Sequence, residues 1–271
     1  MTPTKDTFIT SFACFACTSS WEQDWEKAKQ NKNLVNIKFQ EDFRIVDEHI
    51  DAIATSTIAE NLKKLQFGDS DTGIGRCVTD QAIVRLAQRC LKLEEVLFYS
   101  ATSLTDTALL AIAQNCSLIR SINISGNDKI HGRVTGNCFD QLVTNPDIAP
   151  RLMKIILLDQ NVKHKKIKLL TKQRPSLIIC EGDTVGNGIA AQMVASMTGA
   201  GNTTEWRNGK MISMTSEYGM GHISFDEFDE IDDSDGLSLN SSDYDSEENY
   251  DKDFGEDEEQ KDKEVKKEEK I

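Results

Sequence analysis

No stretch of this chain stays apolar for the ~18–20 residues that a bilayer-crossing helix needs, so no membrane span is expected. The apolar segment Phe8 to Cys17 is interrupted by Thr10 and Ser11 and preceded only by Lys5, a poor match to a signal peptide. A disulfide framework is missing too. The seven cysteines are odd in number and not densely paired, which points to reduced thiols in the cytoplasm or nucleus. Metal-ligand spacing is also lacking. Cys14-Phe15-Ala16-Cys17 is a single C-x-x-C without the second ligand pair of a structural zinc site, and Cys77, Cys90, Cys116, Cys138 and Cys180 are scattered singly. His49, His131, His164 and His222 stand in neither metal-binding nor nucleophile–base spacing. Gly186-Asn187-Gly188 lacks the strand, helix and distant acid of a dinucleotide loop. A calcium loop around Asp233, Asp235 and Gly236 would place Ile231 first and Ser242 twelfth, where carboxylates are required. No catalytic residue, metal site or cofactor is therefore expected, and the chain reads as a binding module rather than an enzyme.

A basic excess is absent as well. Residues 225–271 hold 21 Asp/Glu against 6 Lys, a net of −15, which leaves 24 acids and 25 bases, a net of +1, in residues 1–224. The acidity belongs to the tail. A neutral body gives no electrostatic reason to bind nucleic acid, since phosphate affinity needs clustered Lys and Arg. The tail cannot bury enough apolar surface to offset the ordering of its backbone, so it is expected to be disordered and to attract basic proteins.

What the body does have is a repeat. An apolar residue, two variable ones, an apolar residue, one variable one and a third apolar residue recur as Leu34/Ile37/Phe39, Leu62/Leu65/Phe67, Leu93/Val96/Phe98, Ile119/Ile122/Ile124 and Leu152/Ile155/Leu157. The copies start 28, 31, 26 and 33 residues apart. The alternation inside each triplet predicts a short strand with one buried face. A second pattern follows the strands. Val78-Thr79-Asp80-Gln81-Ala82-Ile83 and Leu104-Thr105-Asp106-Thr107-Ala108-Leu109 are its strong copies, with weaker ones at Ile45-Val46-Asp47 and Val134-Thr135-Gly136. Thr and Asp at a helix start can accept hydrogen bonds from the free amides of the first turn. Ala82, Ile83, Leu86 and Ala87, and likewise Ala108, Leu109, Ile112 and Ala113, then fall on one helix face. Cys90 and Cys116 close the two helices.

These segments, Cys77-Val78-Thr79-Asp80 through Cys90 and Leu104-Thr105-Asp106 through Cys116, resemble the cysteine-containing leucine-rich repeat of F-box/leucine-rich-repeat proteins and the related mitotic-exit antagonist family. The resemblance implies an α/β leucine-rich-repeat right-handed solenoid, a short horseshoe of about five repeats over residues 34–180. It also implies substrate recognition in, or regulation of, SCF-type ubiquitin ligases, with ubiquitin-ligase scaffold components among the partners. The F-box itself, which opens on a Leu-Pro pair, is not found.

Residues 1–33, with Trp21, Trp25 and the amphipathic stretch Trp21 to Lys29, read as an N-terminal cap for the exposed end of such a stack. Gly132, Gly136, Pro146 and Pro150 shorten or displace the fourth helix, and Lys163 to Lys172 supplies a basic fifth. Leu177 to Cys180 follows Pro175 as a last strand. In the Gly/Ser/Thr-rich extension 181–224, Asn208-Gly209 between two short runs signals a hairpin, placed at the end of the stack or over its concave face.

The variable strand positions line up as columns on the concave sheet. One column reads Asn36, Lys64, Glu95, Ser121, Lys154; the next Lys38, Gln66, Leu97, Asn123, Ile156; the third Gln40, Gly68, Tyr99, Ser125, Leu158. Leu97, Tyr99, Ile156 and Leu158 are apolar where water is expected, and apolar patches of this kind mark partner sites. Leu97, Tyr99, Asn123, Ile156 and Leu158 are therefore the candidate contacts for a protein partner. The competing outcome is that residues 181–224 fold back over them. A second functional expectation is a nuclear acidic leucine-rich-repeat protein that binds histones or other basic proteins through its tail.

Overall fold

The computed structural model describes residues 11–14, 21–31, 33–41, 43–69, 73–127, 129–183, 202–216 and 223–224. The chain is α/β. Strands β1 (Ser11–Cys14), β2 (Asn36–Phe39), β3 (Lys64–Phe67), β4 (Glu95–Phe98), β5 (Ser121–Ile124), β6 (Lys154–Leu158) and β7 (Ile178–Gly182) pair in parallel, each with the next in sequence. β8 (Asn202–Arg207), β9 (Lys210–Ser216) and β10 (Ile223–Ser224) then extend the same sheet in antiparallel fashion. Helices α1 (Trp21–Lys29), α2 (Asp47–Thr55), α3 (Asp80–Arg89), α4 (Asp106–Asn115), α5 (Phe139–Thr144) and α6 (His164–Gln173) connect the parallel strands.

The alternation in the triplets sets the strand faces. Ile37, Leu65, Val96, Ile122, Ile155 and Ile179 occupy one register row, and all are buried. The next inward row stacks Phe67 on Phe98, with ring centroids 4.3 Å apart. The helices contribute the faces that their spacing predicts: Ala82, Ile83, Leu86 and Ala87 from α3, and Ala108, Leu109, Ile112 and Ala113 from α4. Strands and helices share one continuous apolar core, so the helices cover this face of the sheet. At its start, Trp25 closes the core under a stack of Trp21 on Trp25, with Phe39, Phe43 and His49 around Trp21. The fourth interval holds only the six-residue α5, as its glycines and prolines require.

The Thr-Asp pairs act differently from their reading as caps within a helix. Only Thr105 caps in that way, its Oγ1 accepting from the Thr107 amide at 3.1 Å. The carboxylates instead reach into the next unit. Asp47 accepts from the amide and hydroxyl of Thr79 at 2.8 and 2.6 Å. Asp80 does the same with Thr105 at 2.9 and 2.6 Å. Asp106 does so with Thr135 at 3.0 and 2.7 Å, and adds the Cys138 amide at 3.2 Å. The first residues of α2, α3 and α4 thereby hold the segment that leads into the next helix, which ties neighbouring units together beyond the named strands.

The hairpin turn is Asn208-Gly209, both with positive φ (51° and 74°), the backbone of a tight two-residue reversal that Asn and Gly tolerate. β8 pairs with β7, so this part of the extension continues the sheet edge and does not lie over a face. Residues 184–201, Cys17 and the acidic tail 225–271 lie outside the described residues, as does the side chain of Cys14.

Candidate functional site

The face of the sheet opposite the helices carries the variable strand positions, and their register is the one read from the sequence. Asn36, Lys64, Glu95, Ser121 and Lys154 form one row of paired positions, and Lys38, Gln66, Leu97, Asn123 and Ile156 the next. Cys180 and then Glu205 continue the second row across β7 and β8. Tyr99 follows β4, and its amide donates to the Phe67 carbonyl at 3.0 Å. Gly68 and Gly75 crowd the Tyr99 carbonyl so closely that a Cβ on either would stand 2.0 Å from its oxygen. Two glycines thus hold the backbone of the one aromatic residue among the candidate contacts.

Leu97, Tyr99, Ile156 and Leu158 are each partly buried, with some surface left open. They form two apolar pairs, one on β4 and the turn after it, the other on β6. β5 separates them, so with strands ~4.8 Å apart the pairs lie roughly 10 Å from one another. Asn123 and Ser125 occupy the gap. They are 4% and 2% exposed, and the Ser125 hydroxyl donates to Asn123 Oδ1 at 2.6 Å. Asn123 is thus the floor of the patch, with its oxygen already engaged, rather than a projecting contact.

Charge frames the patch on both sides. Lys64 and Glu95 form an ion pair at 2.7 Å beside Leu97 and Tyr99. Burial raises the Tyr99 phenol above its ordinary value, with a smaller opposing effect from Lys64, so the hydroxyl stays protonated through the physiological range. On the far side, Cys180 lies within 3.5 Å of Glu205 Oε1, and burial pushes its thiol up to about 11. The sequence does not reveal Glu205 as part of this row, because β8 joins the sheet out of the repeat's period.

The remaining described thiols have the environment of core residues. Burial raises Cys90 and Cys116 to about 12 each and pushes Cys138 higher still, while Cys116 Sγ lies 3.5 Å from the Cys90 carbonyl. Thiols held protonated are poor nucleophiles and poor metal ligands. Among the described residues, no group of three or more His, Cys, Asp or Glu is arranged to hold a metal ion. No described helix is long and apolar enough to cross a membrane. Compared with known proteins, the chain matches no family model and no curated protein.

Proposed function

We propose that the units from residue 34 to 180 form a leucine-rich-repeat solenoid and that the face of the sheet opposite the helices binds a protein partner. Support for the solenoid comes from strands paired in strict chain order and a carboxylate link from Asp47, Asp80 and Asp106 to the following unit. Crossovers between parallel neighbours are right-handed almost without exception, and a run of them in one direction winds a solenoid. The observation that carries the binding reading is the pair of partly open apolar sites, Leu97 with Tyr99 and Ile156 with Leu158, on the face opposite the core. Tyr is favoured at interface centres, and rim charges such as Lys64 and Glu95 tune specificity more than affinity. The complementary partner is an extended protein segment that places apolar side chains on both sites.

By the resemblance of its repeats, this partner is a substrate or regulator in SCF-type ubiquitin-ligase biology, inside the cytoplasm or nucleus. The strongly acidic segment 225–271 favours a second reading, a nuclear protein that binds histones or other basic proteins through that segment. Co-purification from cells separates the two: a cullin-scaffold adaptor supports the first and core histones, released by modest salt, the second. Tyr99→Ala and Ile156→Asp are expected to lose the co-purifying partner while melting within a few degrees of the parent. Retention of the partner by both variants refutes the patch as the contact surface. A large fall in melting temperature shows instead that the chain buries the patch itself.

A further inference from the structure

The sequence from Gln160 to Cys180 contains six Lys or Arg and no acid. Two of the six have structural duties. Lys166 bonds Asn137 Oδ1 at 2.8 Å and Asp140 Oδ2 at 3.0 Å, and Arg174 donates to the carbonyls of Leu142, Asn145, Ile148 and Ala149. Lys165, Lys168 and Lys172 are exposed, and no hydrogen bond or ion pair engages their ammonium groups among the described residues. Spaced three and four residues apart, they form a stripe along one face of α6, about 10 Å long at ~1.5 Å per residue. Leu169, 44% exposed, shares that face and sits among them. The hairpin turn packs on the same helix: the Gly209 amide donates to Thr171 Oγ1 at 3.2 Å, and a Cβ on Gly209 would stand 3.1 Å from Lys172 Cβ. Exposed Arg207, next to that turn, adds a further cation.

We infer that this stripe is a second interaction surface, separate from the open face of the sheet, and that it takes a short acidic peptide segment carrying an apolar side chain. The cations supply the charge complementarity, and exposed Leu169 gives an apolar residue a place between them. Its size suits three or four extended residues at ~3.3 Å each. A nucleic acid fits less well. The chain carries a net charge of −14, which repels a long polyanion, whereas a short segment meets only the charges within the ~8–10 Å screening distance. Like the open-face reading, this one concerns binding, but it rests on different residues and fails independently of it.

The test is titration of the full chain with a synthetic nonapeptide, Phe-Asp-Glu-Phe-Asp-Glu-Ile-Asp-Asp, at low and at physiological salt. The chain carries the same nine residues at 225–233, so a second titration uses the full chain with Asp226, Glu227, Asp229 and Glu230 changed to Asn or Gln. Saturable, salt-sensitive binding is expected. It should weaken about tenfold or more in Lys165→Glu/Lys168→Glu/Lys172→Glu, because three exposed pairs each contribute a few-fold. Leu169→Ser should weaken it several-fold while leaving the salt dependence intact. Tighter binding to the neutralised chain shows that the stripe already accepts such a segment from the chain itself, and it supports the inference. Absence of binding by both chains, equal binding by the lysine-reversed variant, equal affinity for an all-Glu peptide of the same charge, or tighter binding of duplex DNA each overturns it.

Discussion

Replacement of Asp106 tests whether contacts between units, rather than helix caps within them, organise the stack. Its carboxylate accepts three hydrogen bonds from the following unit, two from Thr135 and one from the Cys138 amide. Bonds to a charged group contribute ~1.5–3 kcal/mol each when well shielded, and a half-exposed carboxylate falls below that range, so Asp106→Ala should cost about 2–4 kcal/mol. For a body of this size 1 kcal/mol shifts the melting temperature by ~2–4 °C, which gives a fall of roughly 5–15 °C by calorimetry or circular dichroism. Asp106→Asn keeps one acceptor and loses the charge, so it should fall about half as far. Asp140→Ala, which removes an exposed pair with Lys166, is the control and should cost no more than ~1 kcal/mol. The pH dependence adds a second criterion. Burial raises the Asp106 carboxyl, but the bonds from Thr135 and Cys138 outweigh it, so the group titrates below its ordinary 3.8. A depressed carboxylate stabilises fully above the unfolded value and loses that contribution as the pH falls through the folded one. The gap between parent and Asp106→Asn should therefore be constant above pH ~4 and shrink below it. Melting of Asp106→Ala within about 1 °C of the parent, or no lower than Asp140→Ala, refutes the linkage.

Leu65→Ala should lower stability by about 2–5 kcal/mol, since Leu65 is fully buried in the shared core; an unchanged melting temperature would overturn the strand register. His49 accepts the Val46 amide at 3.1 Å through Nδ1, and burial lowers its pKa from 6.5 against a smaller opposing effect of Glu48. Its neutral form stabilises the fold fully above the unfolded value, so the melting temperature should drop from pH 7 to 5, and drop less in His49→Gln; identical pH profiles refute the assignment. Arg174→Met removes the donor shared by four carbonyls, of which those of Asn145 and Ala149 keep a backbone amide, and should cost about 2–4 kcal/mol by denaturant titration, whereas Lys172→Met, two residues earlier, should cost under ~0.5 kcal/mol.

The α/β class and the strand register were legible because two periods coincide. Within each triplet the alternation fixes which side chains enter the core, and the recurrence every 26 to 33 residues fixes which strands are neighbours. The helix faces of α3 and α4 were equally legible, since Ala and Leu or Ile fall four residues apart on each. The partners of Asp80 and Asp106 were not. A Thr-Asp pair at a helix start satisfies the local rule for a cap, and nothing local reveals that a Thr 25 or 29 residues later competes for the carboxylate. Recurrence of the acid at the same place in three copies was the available signal, because a purely local cap does not require one pattern throughout. The depth of Asn123 was not legible for a related reason. Its row on the open face was right, but the depth of a polar side chain between Leu97 and Ile156 depends on its taller neighbours.

The carboxylate links also explain where basic residues collect. They run from Asp47 to Thr79, Asp80 to Thr105 and Asp106 to Thr135, and there the pattern ends, because Gly136 stands where an acid would continue it. No acid stands at the first position of α5 to accept the backbone amide that leads into α6, so the contact is carried by cations that reach back to α5. Lys166 reaches Asp140 and Arg174 reaches the carbonyls at and beyond the end of α5, where a cation also complements the helix dipole. This exchange of acid for base accounts for Lys166 and Arg174. It does not account for Lys165, Lys168 and Lys172, which are exposed and work against one another as like charges on a shared face. A helix that needed only solubility could have mixed acids among them, as α1 does with Asp24 beside Lys27 and Glu26 beside Lys29. Like charges kept together around an exposed leucine therefore mark a surface shaped by something outside the core.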